Sequence, residues 1–333
     1  MSVTLKDVAK EAGVSPSAVS RTYTPGASVS DNTRAKVEKA AADLGYMPNA
    51  LASGLTTGRT RLIGLVSNNF HNPIFLEVFD LFTRGLQERG LRPLLVNLSD
   101  ETDPANSVLM LKQYSVDGVV VASSTLTPAF SEAFKEANIP VVHSFGRHSS
   151  TPQVHVVGID NVECGKIAAR ELVARGYKCV GFMGGPSLAT STQDRLEGFN
   201  SELALHPEIT VSHSFADSYS FDAGRKEMAR LVSAGNPAEA YFCGDDVLSI
   251  GALSAIADGG LRVPDDIGII GLNDMEMAGW QNINLTTIRQ PVKQIISSSI
   301  ELIVAMLDEP DRYPEARLFP SKVVARGTLK PRL

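Results

Sequence analysis

The sequence is poor in the residues that build redox, metal and catalytic centres. Its 333 residues hold three cysteines, Cys164, Cys179 and Cys243, far apart and without CxxC spacing. That spacing excludes a disulfide scaffold and a cysteine metal site, and suits buried thiols in a reducing compartment. There is one tryptophan, and aromatics make up 6% of the chain. No uninterrupted apolar stretch approaches the ~18 residues of a membrane-spanning helix. The start, Met-Ser-Val-Thr-Leu-Lys-Asp, has no apolar run behind a basic segment, so the expectation is a cytoplasmic protein. No P-loop, GxGxxG after the first strand, HExxH or GxSxG occurs, and the six histidines are scattered. Gly184-Gly185-Pro186 is too short a turn to cradle a phosphate. An enzyme would have to draw its acid, base or metal ligands from Asp160, Asp245 and Asp246. We expect no catalytic residues, no metal and no cofactor.

What is present begins at the amino terminus. Leu5, Val8, Ala9 and Ala12 recur at i, i+3, i+4, i+7, and Thr4 with Asp7 has the form of a capping box. Gly13 stops this helix, and Ser15-Pro16 restarts the chain with an N-cap oxygen and a proline at the first helical position. The second helix turns Ala18 and Val19 inward, leaving Pro16, Ser17, Ser20 and Arg21 to face outward. Two short helices joined by a glycine turn are the pattern of a helix-turn-helix, whose second helix reads base edges in the major groove. Any capped helical hairpin gives the same pattern. The third helix makes that bland reading weaker: Ser30-Asp31 caps it, Val37, Ala40, Ala41 and Leu44 form its apolar stripe, and Gly45 ends it. Residues 1–60 carry seven basic and five acidic side chains, a surplus of +2, against −8 for the remainder of a chain of net charge −6. A mildly basic head on an acidic body is compatible with one DNA-facing end.

Thr4 to Arg21, Val29-Ser30 with Thr33-Arg34 and Val37, Leu44-Gly45-Tyr46 and Pro48-Asn49-Ala50 resemble the lactose-repressor (LacI) family of transcription regulators. The resemblance implies a helix-turn-helix DNA-binding domain over 1–47, a hinge over 48–60, and an effector-binding and dimerisation core over 61–333. Its DNA-binding residues are carried onto Thr4, Ser15, Pro16, Ser17, Ser20, Arg21, Asn49 and Leu55. Leu55 falls where the family's hinge helix pushes a leucine into the minor groove, kinking the duplex. A plain linker with Leu55 tucked on the body is the alternative. Ser53-Gly54 stands where many members have arginine and serine; the glycine costs roughly 1 kcal/mol of helix propensity, so a weakly ordered hinge is expected.

From Arg61 onward, short aliphatic runs alternate with longer amphipathic segments. Ile63–Val66, Pro93–Val96, Gly118–Val121, Pro140–Val142, Val154–Ile159, Val180–Met183, Ala240–Cys243 and Ile267–Ile270 read as strands, most of them continuously apolar. Strands buried on both faces, with helices between, imply parallel sheets. The alternation alone leaves one large sheet or two open. The family resemblance implies two doubly wound parallel-sheet subdomains of periplasmic-binding-protein type I architecture, with crossings near 161, 290 and 320 and a ligand cleft between the halves.

In such folds ligands lie at the carboxyl ends of strands. The effector-binding candidates there are Phe75, Asp160, Ser191, Arg195, Tyr219, Asp245 and Asn273. Arg195 matches the family's arginine, three residues before Gly198 and Phe199. Asp245 and Asn273 exchange the amide and carboxylate that members commonly carry at those positions. An aromatic face, one guanidinium and several amide or carboxylate groups suit a polyhydroxylated ligand, and the arginine could instead serve an anionic group. Each residue has a structural alternative: Arg195 pairing with Asp194 or Glu197 on a helix surface, Asp160 and Asn273 capping helices, Phe75 and Tyr219 as core aromatics. The expected function is a ligand-responsive transcription regulator, a repressor, binding a palindromic double-stranded DNA operator as a homodimer under a sugar, sugar acid or related polyol. The alternatives are a cytoplasmic solute-binding protein without a DNA role and a carbohydrate-acting enzyme. The segment Gly327–Leu333 has no heptad tail, which favours dimer over tetramer.

Overall fold

The computed structural model describes residues 3–24, 26–47, 58–98, 103–235 and 237–333. The chain divides into two compact units, Met1–Arg61 with Ser115–Asp117, and Leu62–Tyr114 with Gly118–Leu333.

Among the described residues the first unit has three helices, α1 (Leu5–Ala12), α2 (Pro16–Thr22) and α3 (Asp31–Leu44). Each has a side-chain N-cap: Thr4 with a capping box to Asp7, Ser15 to Ala18 N–H, and Ser30 to Thr33 N–H. Gly13 and Gly45 close α1 and α3 in the left-handed conformation, which glycine adopts without a Cβ penalty. Val8, Ala9, Val19, Val37, Ala40 and Ala41 form the core. It is small, and small residues at Ala9, Ala40 and Ala41 let short helices approach closely enough to bury it.

The second unit contains two six-stranded sheets. In chain order its elements are β1 (Leu62–Ser67), α4 (Ile74–Gln87), β2 (Arg92–Asn97), α5 (Pro104–Gln113), β3 (Gly118–Ala122), α6 (Pro128–Glu136), β4 (Val141–Ser144) and β5 (His155–Gly158). Then follow α7 (Asn161–Val173), β6 (Cys179–Gly184), α8 (Thr190–Leu203), β7 (Thr210–Phe215), α9 (Phe221–Ser233), β8 (Ala240–Cys243), α10 (Asp246–Asp258), β9 (Gly268–Asn273) and β10 (Thr286–Arg289). The last elements are α11 (Val292–Asp308), β11 (Ala316–Leu318) and β12 (Lys322–Val324).

One sheet has the order β11-β5-β4-β3-β1-β2 and the other β12-β10-β9-β8-β6-β7. All pairings are parallel except β10 with β12. The chain passes from the first sheet to the second after β5, returns after β10 to place α11 against β3, β4 and β5, and passes again between β11 and β12. Central strands such as β3 and β9 are buried at every position, as their unbroken aliphatic runs require.

Four strands escape the aliphatic-run pattern. β7 reads Thr-Val-Ser-His-Ser-Phe and lies at a sheet edge with one side wet. β10, β11 and β12 are three or four residues long, and each carries a basic residue. Their identity as strands is set by the sheet they join rather than by their own composition.

Two helix pairs touch through glycine. A Cβ on Gly165 of α7 would strike Arg195 O of α8, and one on Gly198 would strike Val162 O. Gly224 of α9 and Gly251 of α10 are related in the same way. The first of these contacts sets the position of the site described next.

Candidate functional site

In the first unit, α2 is pinned by Val19 and by Thr22, whose hydroxyl donates to Ala18 O at 2.9 Å. Pro16, Ser17 and Arg21 are exposed and Ser20 is half-buried. Arg21 Nε donates to Ser17 O at 3.4 Å, which leaves its terminal amino groups without a protein acceptor among the described residues. Thr4 and Ser15 are committed elsewhere: the Thr4 hydroxyl donates to Asp7 Oδ2 at 2.6 Å, and Ser15 Oγ accepts from Ala18 N–H at 3.2 Å. Arg34 Nη1 donates to Thr22 O at 3.0 Å and ties α3 to the end of α2. Asn49, Leu55 and the Ser53-Gly54 pair lie outside the described residues.

In the second unit, residues at the carboxyl ends of the strands converge from both sheets. Phe75, Phe145, Ile74 and Ile159 come from the first side, and Asn161, Arg195, Tyr219, Asp245 and Asn273 from the second, with Gln290 at the crossing. Asn161 begins α7, and its Oδ1 accepts from Arg195 Nε at 2.9 Å, a geometry made by the glycine contact between α7 and α8. Arg195 Nη1 donates to Gly244 O at 2.5 Å. Arg195 is 4% exposed, and among the described residues it forms no ion pair. Asp194, a surface partner considered for it from sequence, instead pairs with Arg147 at 2.6 Å.

Asp245 caps α10 through Val247 N–H at 2.8 Å. Its other oxygen accepts from Asn72 at 3.0 Å and from Asn273 at 2.8 Å, and Asn273 Oδ1 in turn accepts from Gln290 Nε2 at 2.6 Å. Burial pushes the Asp245 carboxyl above its ordinary value, against the pull of these donors and of Arg195. Asn273 and Asp274 have φ values of 128° and 60°, and Phe145 one of 66°. Left-handed backbone at an aromatic residue and at two consecutive site residues marks strain held in place by surrounding structure. Asp274 is held by Arg289 at 2.5 Å and Arg326 at 2.6 Å, which anchors that turn.

Tyr219 is fixed by its hydroxyl, 2.6 Å from Thr192 Oγ1, and by its ring, which lies where a Cβ on Gly185 would be. The arrangement therefore combines aromatic walls with amide, carboxylate and guanidinium groups. It offers stacking surface together with donors and acceptors, and lacks a nucleophile poised beside a base.

Of the effector candidates, Phe75, Arg195, Tyr219, Asp245 and Asn273 line this cleft together. Asp160 and Ser191 are not in the lining. Asp160 Oδ1 caps α7 at Glu163 N–H, 3.0 Å away, and Ser191 is buried behind Tyr219, with 3.4 Å between their oxygens. Sequence reasoning missed Asn72, Phe145, Asn161 and Gln290. Asn161 and Gln290 had a signal, since both fall at the expected crossings, and Phe145 stands directly after β4; Asn72 lies in the loop five residues beyond β1.

Among the described residues no helix is long and apolar enough to cross a membrane, and no cluster of three or more histidine, cysteine or acidic side chains is placed to hold a metal ion.

Comparison with known proteins follows the two units. Residues 4–49 match the model of bacterial regulatory proteins of the lacI family, and residues 169–329 that of a periplasmic binding protein-like domain. The chain is 33% identical over 311 residues to an HTH-type transcriptional repressor PurR of Proteus mirabilis, covering 90% of this chain and 89% of that protein. It is 31% identical to that of Yersinia enterocolitica, over 98% of this chain and 96% of that one. Among solved structures it resembles the lac repressor dimer bound to operator and the anti-inducer ONPF, with a TM-score of 0.88 and 25% identity over 99% of this chain and all of that one. It also resembles a complex of the transcriptional regulator CelR with cellobiose, with a TM-score of 0.72 and 26% identity over 98% of this chain and 99% of that one.

Proposed function

We propose, from the premise that the chain belongs to the lacI family of bacterial regulatory proteins and is a DNA-binding transcriptional repressor, that it acts in the cytoplasm as a homodimer on a palindromic operator under the control of a saccharide-like effector. The observation that carries the DNA half is α2: a capped helix locked by Val19, with Ser17 and Arg21 exposed on its other side. Pro16, Ser17 and Arg21 enter the major groove, Ser20 lies beside them, and Thr4 and Ser15 position the helix ends. Asn49 and Leu55 are assigned to the hinge contact from their place in the sequence. The palindrome mirrors two-fold symmetry of the protein.

The effector half rests on the convergence of Phe75, Arg195, Tyr219, Asp245 and Asn273 from two sheets joined by three crossings. A ligand gripping both sides changes the balance between open and closed arrangements. To move that balance from 1:99 to 99:1 it must prefer one arrangement by about 5.5 kcal/mol.

The test is capture of genomic fragments on the purified full-length protein, with Arg21→Ala as control, repeated with sugars, sugar acids and nucleobases. A short palindrome selected by the parent and not by the control, and released or tightened by a saccharide, is the expected result. Response to a nucleobase and to no saccharide would overturn the effector class.

A further inference from the structure

Residues 60 and 61, where the chain passes from the expected hinge into β1, are held by a side chain 57 residues beyond the first of them. The Asp117 carboxylate spans two consecutive amides: Oδ1 accepts from Thr60 N–H at 3.0 Å and Oδ2 from Arg61 N–H at 2.7 Å. The Thr60 hydroxyl bridges Asp117 Oδ1, at 3.2 Å, and Ser115 O, at 2.7 Å. All four residues belong to the first compact unit, although β1, α4, β2 and α5 separate 115–117 from 60 and 61 along the chain. The backbone is left-handed on both sides of this clasp, with φ of 60° at Arg61 and 50° at Ser115. Glycine enters that region freely; arginine and serine stay there only where surrounding bonds hold them.

The clasp extends a ladder. β1 and β3 are parallel neighbours whose first register pair is Ile63 with Gly118, the residue after Asp117. Backbone pairing between them stops there, and a plain strand end would leave the amides of residues 60 and 61 to water. The carboxylate carries the attachment farther toward the amino terminus, so the direction in which the chain departs is set by the start of β3 as well as by β1. Asp117 does not line the cleft.

We propose that Asp117 is a positioning residue for operator binding: by holding residues 60 and 61 it fixes where each protomer's chain leaves β1 for the hinge, and thereby the half-site spacing that the dimer accepts. This rests on the dimer and palindrome reading and adds what measures the palindrome. Two half-sites are read together only if their separation matches that of the two reading helices, and one base pair more or less turns one half-site by about a tenth of a helical turn against the other. A chain held at 60 and 61 resists that turn, and a chain released there follows it. The sign of the effect separates this role from charge alone. Removing a negative charge favours binding to any DNA, whereas opening the clasp weakens the operator complex, because the freed chain must be ordered again on binding.

Anisotropy titrations of the full-length protein test it, on the captured operator and on copies with one base pair inserted or removed at the centre. The parent is expected to prefer the natural spacing by about tenfold or more. Asp117→Ala should weaken binding to the natural operator about tenfold, bring the three spacings within about threefold of one another, and leave random DNA within about twofold. Asp117→Asn, which keeps one acceptor oxygen, should fall between, and Thr60→Val, which keeps both amides, should shift in the same direction by less. Circular dichroism melts check that each variant is folded; if Asp117→Ala is not, the other two carry the comparison. A parent indifferent to spacing, folded variants that lose equally on all three spacings or not at all, or tighter binding of the variants to every duplex overturns the proposal while leaving the operator reading in place. A parent that selects no palindrome overturns both.

Discussion

Asn72 donates its side-chain N–H to Asp245 Oδ2 at 3.0 Å, joining the loop after β1 in one sheet to the residue after β8 in the other. With Asn273 and Val247 N–H it gives the carboxylate three donors. The acid at position 245, rather than the amide at 273, thus stands where the donors converge.

Asp245→Asn should lower stability by about 1–3 kcal/mol, since three N–H donors then face a group with a single acceptor oxygen. The double variant Asp245→Asn/Asn273→Asp restores a carboxylate among amides and keeps an acceptor for Gln290 Nε2. Urea midpoints should show it to be more stable than the sum of the single changes. Strict additivity would contradict the network.

Arg21→Ala should cost the operator complex about 1–3 kcal/mol while changing the affinity for random DNA much less, because the loss is one of base reading. Anisotropy titrations of both duplexes at one salt concentration measure it. Equal losses would assign Arg21 to the phosphates.

Asp246 is fully buried between Thr287 Oγ1, which donates at 2.5 Å, and Met275 N–H, at 2.8 Å, and burial pushes its carboxyl up to about 7. The fold thus holds a proton that the unfolded chain releases near pH 4, and this contribution to stability falls as pH rises from about 4 to about 7. His143 has the opposite slope: burial holds it down to about 4, so stability rises with pH from about 4 to about 6.5. Asp246→Asn keeps an oxygen for Met275 and places its amino group against a hydroxyl that can accept. Denaturation between pH 5 and 8 should show the variant gaining on the parent as pH rises, by ~1.4 kcal/mol for each pKa unit of difference. A constant gap would remove Asp246 as the source.

Arg147, on the first sheet's side, gives its guanidinium to Asp194 at 2.6 Å, Thr190 O at 3.0 Å and Gln193 at 3.1 Å, all on α8. Beside it, Ser191 N–H and Thr190 Oγ1 donate to Ser124 O at 3.2 and 3.0 Å. Arg147→Ala should raise amide hydrogen exchange at Ser191 about tenfold or more and leave the amides of α7 unchanged. Unaltered exchange at Ser191 would show that Arg147 does not hold the cleft.

Much of this fold can be read from the chain because its central strands are aliphatic throughout and its head carries explicit helix punctuation at Thr4, Gly13, Ser15 and Gly45. What escaped is what depends on company. β7 is a strand because β6 offers it an edge, and Phe145 reaches the cleft through a left-handed backbone that an aromatic residue does not advertise. In the cleft, positions after apolar runs led to Asp245 and Asn273, which line it, since strand ends are where parallel sheets leave room. They pointed equally to Asp160, whose carboxylate found a helix amide nearer than the cleft. Local sequence does not distinguish these outcomes, because both begin with an acid at a strand-to-helix turn.

The three passages between the sheets also govern the order in which the molecule can be completed during synthesis. β11 pairs with β5 across more than 150 residues of chain, every strand of the other sheet except β12 lying between them. The sheet that starts first therefore finishes nearly last, and a nascent chain holds an open parallel edge at β5 until residue 318 has emerged. Neither half is a contiguous piece of the gene. Exchanging one cleft wall between relatives takes three cuts within the core, at the passages, and for this family a recombination that respects the fold must be segmented in the same places.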